Sequence, residues 1–121
     1  MSGALTGVRV LLVEDEPIIA MTAEDMLGAI GCLVVATAAT LDEALAAAER
    51  GDFDVAVLDI NLNGTASLPV AETLKRAARP FIFTTGYGAG ERGRHDDVPL
   101  VSKPYRISDL EHALAAVLAR G

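Results

Sequence analysis

Tryptophan is missing and aromatic side chains are few, three Phe and two Tyr in 121 residues. Any core must therefore be built mainly from Ala, Val, Leu and Ile. With 51% of residues apolar there are enough to fill one domain of ordinary size without disulfide or metal staples. Cysteine occurs once, at Cys32, which excludes an internal disulfide and fits a reducing, cytoplasmic setting. Cys32 opens the run CLVVAT and reads as a small buried hydrophobe rather than a reactive thiol. Long apolar runs are absent too: none reaches the roughly 18 residues of a membrane span. The start, MSGALTGVRV, lacks the basic-then-apolar order of a secretory signal. No membrane partner is expected. Basic residues are in deficit, ten against seventeen acidic, for a net charge of −7. That argues against direct nucleic-acid binding, which relies on basic patches, and favours cations and basic protein surfaces as ligands. There is no internal repeat, low-complexity tract or linker, so residues 1–121 read as a single domain.

What is present is a regular alternation. VRVLLV (8–13) is a Val-rich apolar run and reads as a buried strand. Pro17 suits a first helical turn, Ile19, Ala23, Met26, Leu27 and Ile30 recur at helical spacing, and Gly31 stops the helix. CLVVAT (32–37) is a second strand. Thr40 and Glu43 form a capping-box pattern ahead of LDEALAAAER, closed by Gly51. FDVAVLDI (53–60) is a third strand, NLNGTAS a loop, and LPVAETLKRAA a third helix. PFIFTT (80–85) and VPLVS (98–102) are strands four and five. Ser108 and Glu111 make a second capping box before the final helix. Five strands alternating with helices imply an α/β domain with a doubly wound parallel sheet and helices on both faces. Right-handed crossovers leave few topologies, of which the flavodoxin-like order 2-1-3-4-5 is a common one. In such sheets the working site lies at the carboxyl ends of the strands.

Those ends carry the unusual chemistry. LLVEDEP (11–17) crowds Glu14, Asp15 and Glu16 behind an apolar run, and such carboxylates repel one another. Strand three ends in Asp59, strand four in Thr84-Thr85, and strand five in Ser102-Lys103-Pro104. Singly, each has a plain structural role: an acid capping a helix, an Asp in a turn, a Thr in a strand, a solvated Lys. Jointly, they place acids, a hydroxyl and an amine at neighbouring strand ends. Three hard oxygen anions suit Mg²⁺, which offsets their repulsion; without it one carboxylate should hold its proton to a higher pH. A carboxylate beside Mg²⁺ can also accept a phosphoryl group, whose oxygens then need a cation and a donor such as Lys103 and a Thr hydroxyl.

From VRVLLVEDEP to LEHALAAVLAR the chain resembles the receiver domains of two-component response regulators. The motifs are Glu14-Asp15, the strand-end Asp59, a Thr ending strand four, and Lys103-Pro104. The resemblance implies that Asp59 is the phosphoacceptor, that Asp15 ligates Mg²⁺ directly with Glu14 helping through water, and that the Asn61 backbone carbonyl completes the protein's share. It implies that Lys103 pairs with the phosphoryl group across a cis Lys103–Pro104 bond. It places the switch hydroxyl just before the small loop residue Gly86, hence at Thr85 rather than Thr84. It implies a histidine kinase or histidine phosphotransfer protein as donor, and output to a downstream protein or service as a phosphoryl sink. Such a domain is a signalling receiver, not an enzyme beyond its own phosphoryl transfer and dephosphorylation. PFIFTTGYG further resembles receivers from alphaproteobacteria with a Phe-Ala-Thr-Gly motif, often linked to the general stress response, with Thr84 replacing the Ala. Many receivers carry an aromatic three places before the Lys; here that place holds Leu100. Tyr87 either takes over that role or is a half-exposed loop aromatic, and the residues leave both open.

Other classes fit less well. A Mg²⁺-dependent phosphohydrolase or Toprim-like domain expects Asp-x-Asp, where Asp59-Ile60-Asn61 has Asn. A nucleotide or flavin module needs a glycine- or hydroxyl-rich loop after strand one, where VEDEPI is acidic. Met1 and the lack of anything after the last helix except Gly121 lead us to expect a stand-alone receiver; the alternative is a module excised from a hybrid kinase or larger regulator. The output face is expected to combine strand five, the last helix and the segment before strand five, with Tyr87, Tyr105 and Arg106 as anchors. Finally, GYGAGERGRHDD (86–97) has four glycines and almost no apolar stripe, which predicts a short or poorly ordered fourth helix.

Overall fold

The computed structural model describes residues 5–86, 95 and 97–120. Five parallel strands form the main sheet: β1 (Arg9–Val13), β2 (Leu33–Ala38), β3 (Val55–Asp59), β6 (Phe81–Thr85) and β7 (Leu100–Ser102). Their spatial order is β2-β1-β3-β6-β7, which is 2-1-3-4-5 when the sheet's strands are counted along the chain. The expected strands survive, several of them shorter by one or two residues at their amino ends.

Alternation along each strand splits the core into two layers. Leu11, Leu58 and Phe83 face α2 (Leu41–Arg50) and α3 (Leu68–Arg76) through Ala44, Ala48, Val70 and Leu74. Leu12, Val57 and Ile82 face α1 (Pro17–Ile30) and α4 (Ile107–Arg120) through Leu27, Leu110 and Leu114. Short Ala side chains on α2 let that helix lie close to the sheet, which suits a chain poor in aromatics.

Helix ends follow local chemistry. Gly31 stops α1 at φ 105°, a left-handed conformation that disfavours a side chain; a Cβ there would lie 3.1 Å from Thr6 Oγ1. Cys32 is buried just before β2, and burial raises its thiol pKa, as suits an inert hydrophobe. Thr40 caps α2, its hydroxyl accepting from the Glu43 N–H at 3.1 Å, while Glu43 Oε1 accepts from the Ala39 N–H at 2.9 Å.

Four expectations need correcting. The loop NLNGTAS holds an antiparallel hairpin, β4 (Asn61–Leu62) and β5 (Thr65–Ala66). Its turn residues Asn63 and Gly64 both have positive φ, 54° and 88°, as an Asn-Gly turn between tightly paired strands requires. Ser108 does not cap the last helix, which already begins at Ile107; Asp109 Oδ2 accepts from the Arg106 N–H at 2.9 Å instead. Tyr105 is buried in the α1/α4 layer and so is no exposed anchor, whereas Arg106 is exposed. His95, expected in a polar stretch, is buried and meets the Phe81 and Phe83 rings edge-on at 6.2 and 6.1 Å. The expected short fourth helix and Tyr87 fall within 87–94 and 96, outside the described residues.

Candidate functional site

β1 and β3 are adjacent, and each carries a buried apolar run, Val10–Val13 and Val55–Leu58, up to its carboxyl end. The side chains that follow, Glu14 and Asp59, arrive together at the sheet's carboxyl edge, both buried. β7 lies one strand beyond β6 and delivers Lys103, whose N–H donates to the Thr85 carbonyl at 2.7 Å. The Lys103–Pro104 peptide is cis. The Lys103 ammonium lies between the acids, 2.7 Å from Glu14 Oε1 and 2.8 Å from Asp59 Oδ2. The other carboxylate oxygens are held by main chain: Glu14 Oε2 accepts from the Glu16 N–H at 3.1 Å, and Asp59 Oδ1 from the Asn61 N–H at 3.2 Å. Glu16 occupies the α1 N-cap but makes no side-chain cap. Glu14 and Asp15 thus join the strand-end cluster, while exposed Glu16 contributes its N–H to Glu14.

One ammonium does not neutralise this cluster. Ligand oxygens of Glu14, Asp15 and Asp59 all lie within 4.8 Å of one another. Burial pushes the Glu14 carboxyl up to about 7; the Lys103 hydrogen bond opposes that shift and the Asp59 charge reinforces it. Burial thus disfavours the charged form of Glu14. For Lys103 burial pulls downward, but hydrogen bonds to Asp59 and Glu14 outweigh it and raise its pKa. Tyr105 is pushed up to about 12, first by burial and then by the Glu14 charge. Three hard oxygen donors, one of them favouring protonation, fit a small divalent cation such as Mg²⁺.

A cavity of about 890 Å³ opens over the cluster, walled by Ile19, Thr22 and Met26 of α1, by Asn63 and Gly64 of the hairpin, and by Gly86, Pro104 and Tyr105. Asp15, Asp59, Asn61 and Lys103 line its polar end. The Asn61 side chain is engaged locally, its Oδ1 accepting from the Gly64 N–H at 2.7 Å. Thr84 and Thr85 are both buried at the end of β6; Asp59 is in register with Thr84, and Thr85 with Ser102. Leu100 stands opposite Phe83 and packs in the α2/α3 layer, where an aromatic was expected in related chains.

Ser67 escaped the sequence reading. It is completely buried, and its hydroxyl donates to the Asp59 carbonyl at 2.6 Å. The signal was Ser67-Leu68-Pro69 at a helix start, a cap with one of its usual partners removed.

The chain matches the family model of the response regulator receiver domain over residues 10–115, and it belongs to that family. It is therefore a receiver domain of two-component signalling. It is similar to the solution structure of SdrG from Sphingomonas melonis Fr1, at 44% identity and TM-score 0.82, covering 98% of this chain and 99% of that one. The BeF3-activated conformation of SdrG matches at 42% identity and TM-score 0.76, covering 97% and 99%. Among curated proteins, the transcriptional regulatory protein TcrA of Mycobacterium tuberculosis is 35% identical over 98% of this chain and 49% of its own. The phyllosphere-induced regulator PhyR of Methylorubrum extorquens is 32% identical over 91% and 43%. The chain thus spans about half the length of these curated relatives.

Proposed function

We propose that this domain accepts a phosphoryl group on Asp59 from a histidine kinase or histidine phosphotransfer protein and passes the signal on by protein contact. The observation that carries the proposal is the ammonium of Lys103 held between Glu14 and Asp59, with Asp15 alongside. An Asp59 oxygen attacks phosphorus, a new O–P bond forms, and the P–N bond to the donor imidazole breaks. The departing imidazole keeps the electron pair and takes a proton from solvent. Lys103 and the Asn61 N–H hold the carboxylate through its two oxygens. Once a phosphoryl group is on Asp59, Lys103 stands beside it to balance its charge. Asp15 and Asp59, the Asn61 backbone carbonyl and, through water, Glu14 would hold Mg²⁺. When bound, that ion offsets the charge of the carboxylates and of the phosphoryl oxygens. Thr85 is the hydroxyl assigned to sense the modification. With a net charge of −7, output is assigned to a protein partner rather than to DNA.

Intact-mass measurement after incubation with a small acyl phosphate tests this directly. One phosphoryl group should appear, chelation should prevent it, and Asp59→Asn should not acquire it. Equal labelling of Asp59→Asn, or indifference to chelator, overturns the assignment.

A further inference from the structure

Ser67 occupies the N-cap of α3, a place where a serine hydroxyl ordinarily accepts from the N–H of the second or third helical residue. Here the second is Pro69, which has no N–H, and the Val70 N–H already bonds the Ser67 carbonyl at 2.9 Å. Ser67 makes no side-chain cap, and its φ and ψ of −92° and 11° lie outside the usual extended cap conformation. Its hydroxyl turns back eight residues to the Asp59 carbonyl, at 2.6 Å and completely buried. A carbonyl can only accept, so the proton lies between Ser67 Oγ and Asp59 O. The Ser67 N–H meanwhile donates to the Ile60 carbonyl at 2.8 Å.

These two bonds close the base of the β4–β5 hairpin. Its ladder pairs Asn61 with Ala66 and Leu62 with Thr65, and buried Leu62 fixes it to the α2/α3 layer. The hairpin then leaves Asp59 along one fixed path, and Asn61 is brought to donate to Asp59 Oδ1. We propose that Ser67 is a positioning residue for the Asp59 carboxylate: it gives up its cap to clamp the backbone on which phosphoryl transfer depends. The inference rests on the phosphoacceptor reading of Asp59. A clamp matters because misplacing a reacting group by about 1 Å can cost roughly 100-fold in rate.

The test compares Ser67→Ala with Val70→Ala, a buried neighbour in the same helical turn that makes no bond to the Asp59 backbone. Both variants are measured well below their melting temperatures. The readouts are the maximal rate of Asp59 phosphorylation by an acyl phosphate, the donor concentration at half-maximal rate, and the Asn61 amide proton shift in metal-free protein. Ser67→Ala should slow the maximal rate roughly tenfold with little change in half-saturation, and should move the Asn61 amide. Val70→Ala should lower stability but leave the rate and the amide near wild type. If Ser67→Ala does not fold, Ser67→Cys replaces it under the same criterion, since its somewhat larger side chain leaves no cavity and its S–H is a weaker donor. Equal rates for the Ser67 variant and wild type, or equal losses in the Ser67 and Val70 variants, overturn the inference. Wild-type protein that gains no phosphoryl group on Asp59 would instead sink the phosphoacceptor reading itself.

Discussion

Adjacent threonines at the end of β6 show how one position decides a role. Ile82 belongs to the α1/α4 layer and Phe81 and Phe83 to the other, so alternation sends Thr84 with Ile82 and Thr85 with the phenylalanines. Thr85 then stands on the side of Phe81 and Phe83, directly before Gly86. Thr85→Ala should allow phosphorylation yet blunt the NMR shift changes that follow it, whereas Thr84→Ala should mainly disturb packing. Because the ladder pairs Asp59 with Thr84, the reverse pattern would move the switch one residue inward. A second residue-scale prediction concerns pH. Arg9 donates to Asp54 through side chain and main chain and holds that carboxyl below its ordinary range. A depressed folded pKa contributes stability above the unfolded value of about 3.9, lost as pH falls through the folded value. Asp54→Asn should thus lower the melting temperature slightly at neutral pH. The gap should close below about pH 4 and shrink with salt, because the pair is exposed. A gap that persists unchanged in acid excludes this origin.

Elements were the most legible scale. Apolar runs of five to eight residues, capping residues and Gly stops pointed to the five strands of the main sheet and to helices on both faces, while the order rested on the few topologies that right-handed crossovers allow. Glu14, Asp15, Asp59 and Lys103 were legible for the same reason, as polar residues at the ends of apolar strands. What was missed depended on contacts far along the chain. Nothing local says that His95 packs on Phe81 and Phe83, that Tyr105 turns inward, or that Ser67 reaches Asp59. The Asn-Gly pair marks the turn of the β4–β5 hairpin, but strands of two residues each are too short to show an alternating pattern. The end of α3 offers a prediction of its own. Ala78 follows that helix at φ 57°, a left-handed conformation usually left to Gly, and its N–H and that of Arg79 close the last turn on Lys75 and Leu74. Ala78 is exposed, so Ala78→Gly removes strain without opening a cavity. It should stabilise the domain by about 0.5–1 kcal/mol in denaturant titration. The phosphorylation rate should not change. A loss of stability would mean that the Cβ is tolerated there at no cost.

At the scale of the molecule, charge and stability are coupled through the strand-end cluster. The chain carries −7, and Glu14, Asp15 and Asp59 converge where, among the described residues, Lys103 is the cation that pairs with them. Burying Glu14 and Asp59 opposes folding, since the desolvation cost of buried charges can exceed what pairing returns. A cation that binds the folded cluster and not the unfolded chain returns stability by mass action, about 2.7 kcal/mol at a hundredfold excess over its dissociation constant. Thermal unfolding should therefore shift upward with MgCl₂ and keep rising with the logarithm of its concentration beyond saturation. Part of any such shift is general screening of a highly acidic chain, so NaCl at matched ionic strength is the control. Asp15 separates the two effects, being half-buried in the cluster yet untouched by Lys103. Asp15→Asn removes one repelling charge and one oxygen anion together. It should melt higher than wild type in chelator and gain no more from MgCl₂ than from NaCl. If Asp15→Asn melts lower than wild type in chelator, repulsion is not what the cluster stores. If it keeps the full magnesium-specific gain, the ion is held elsewhere.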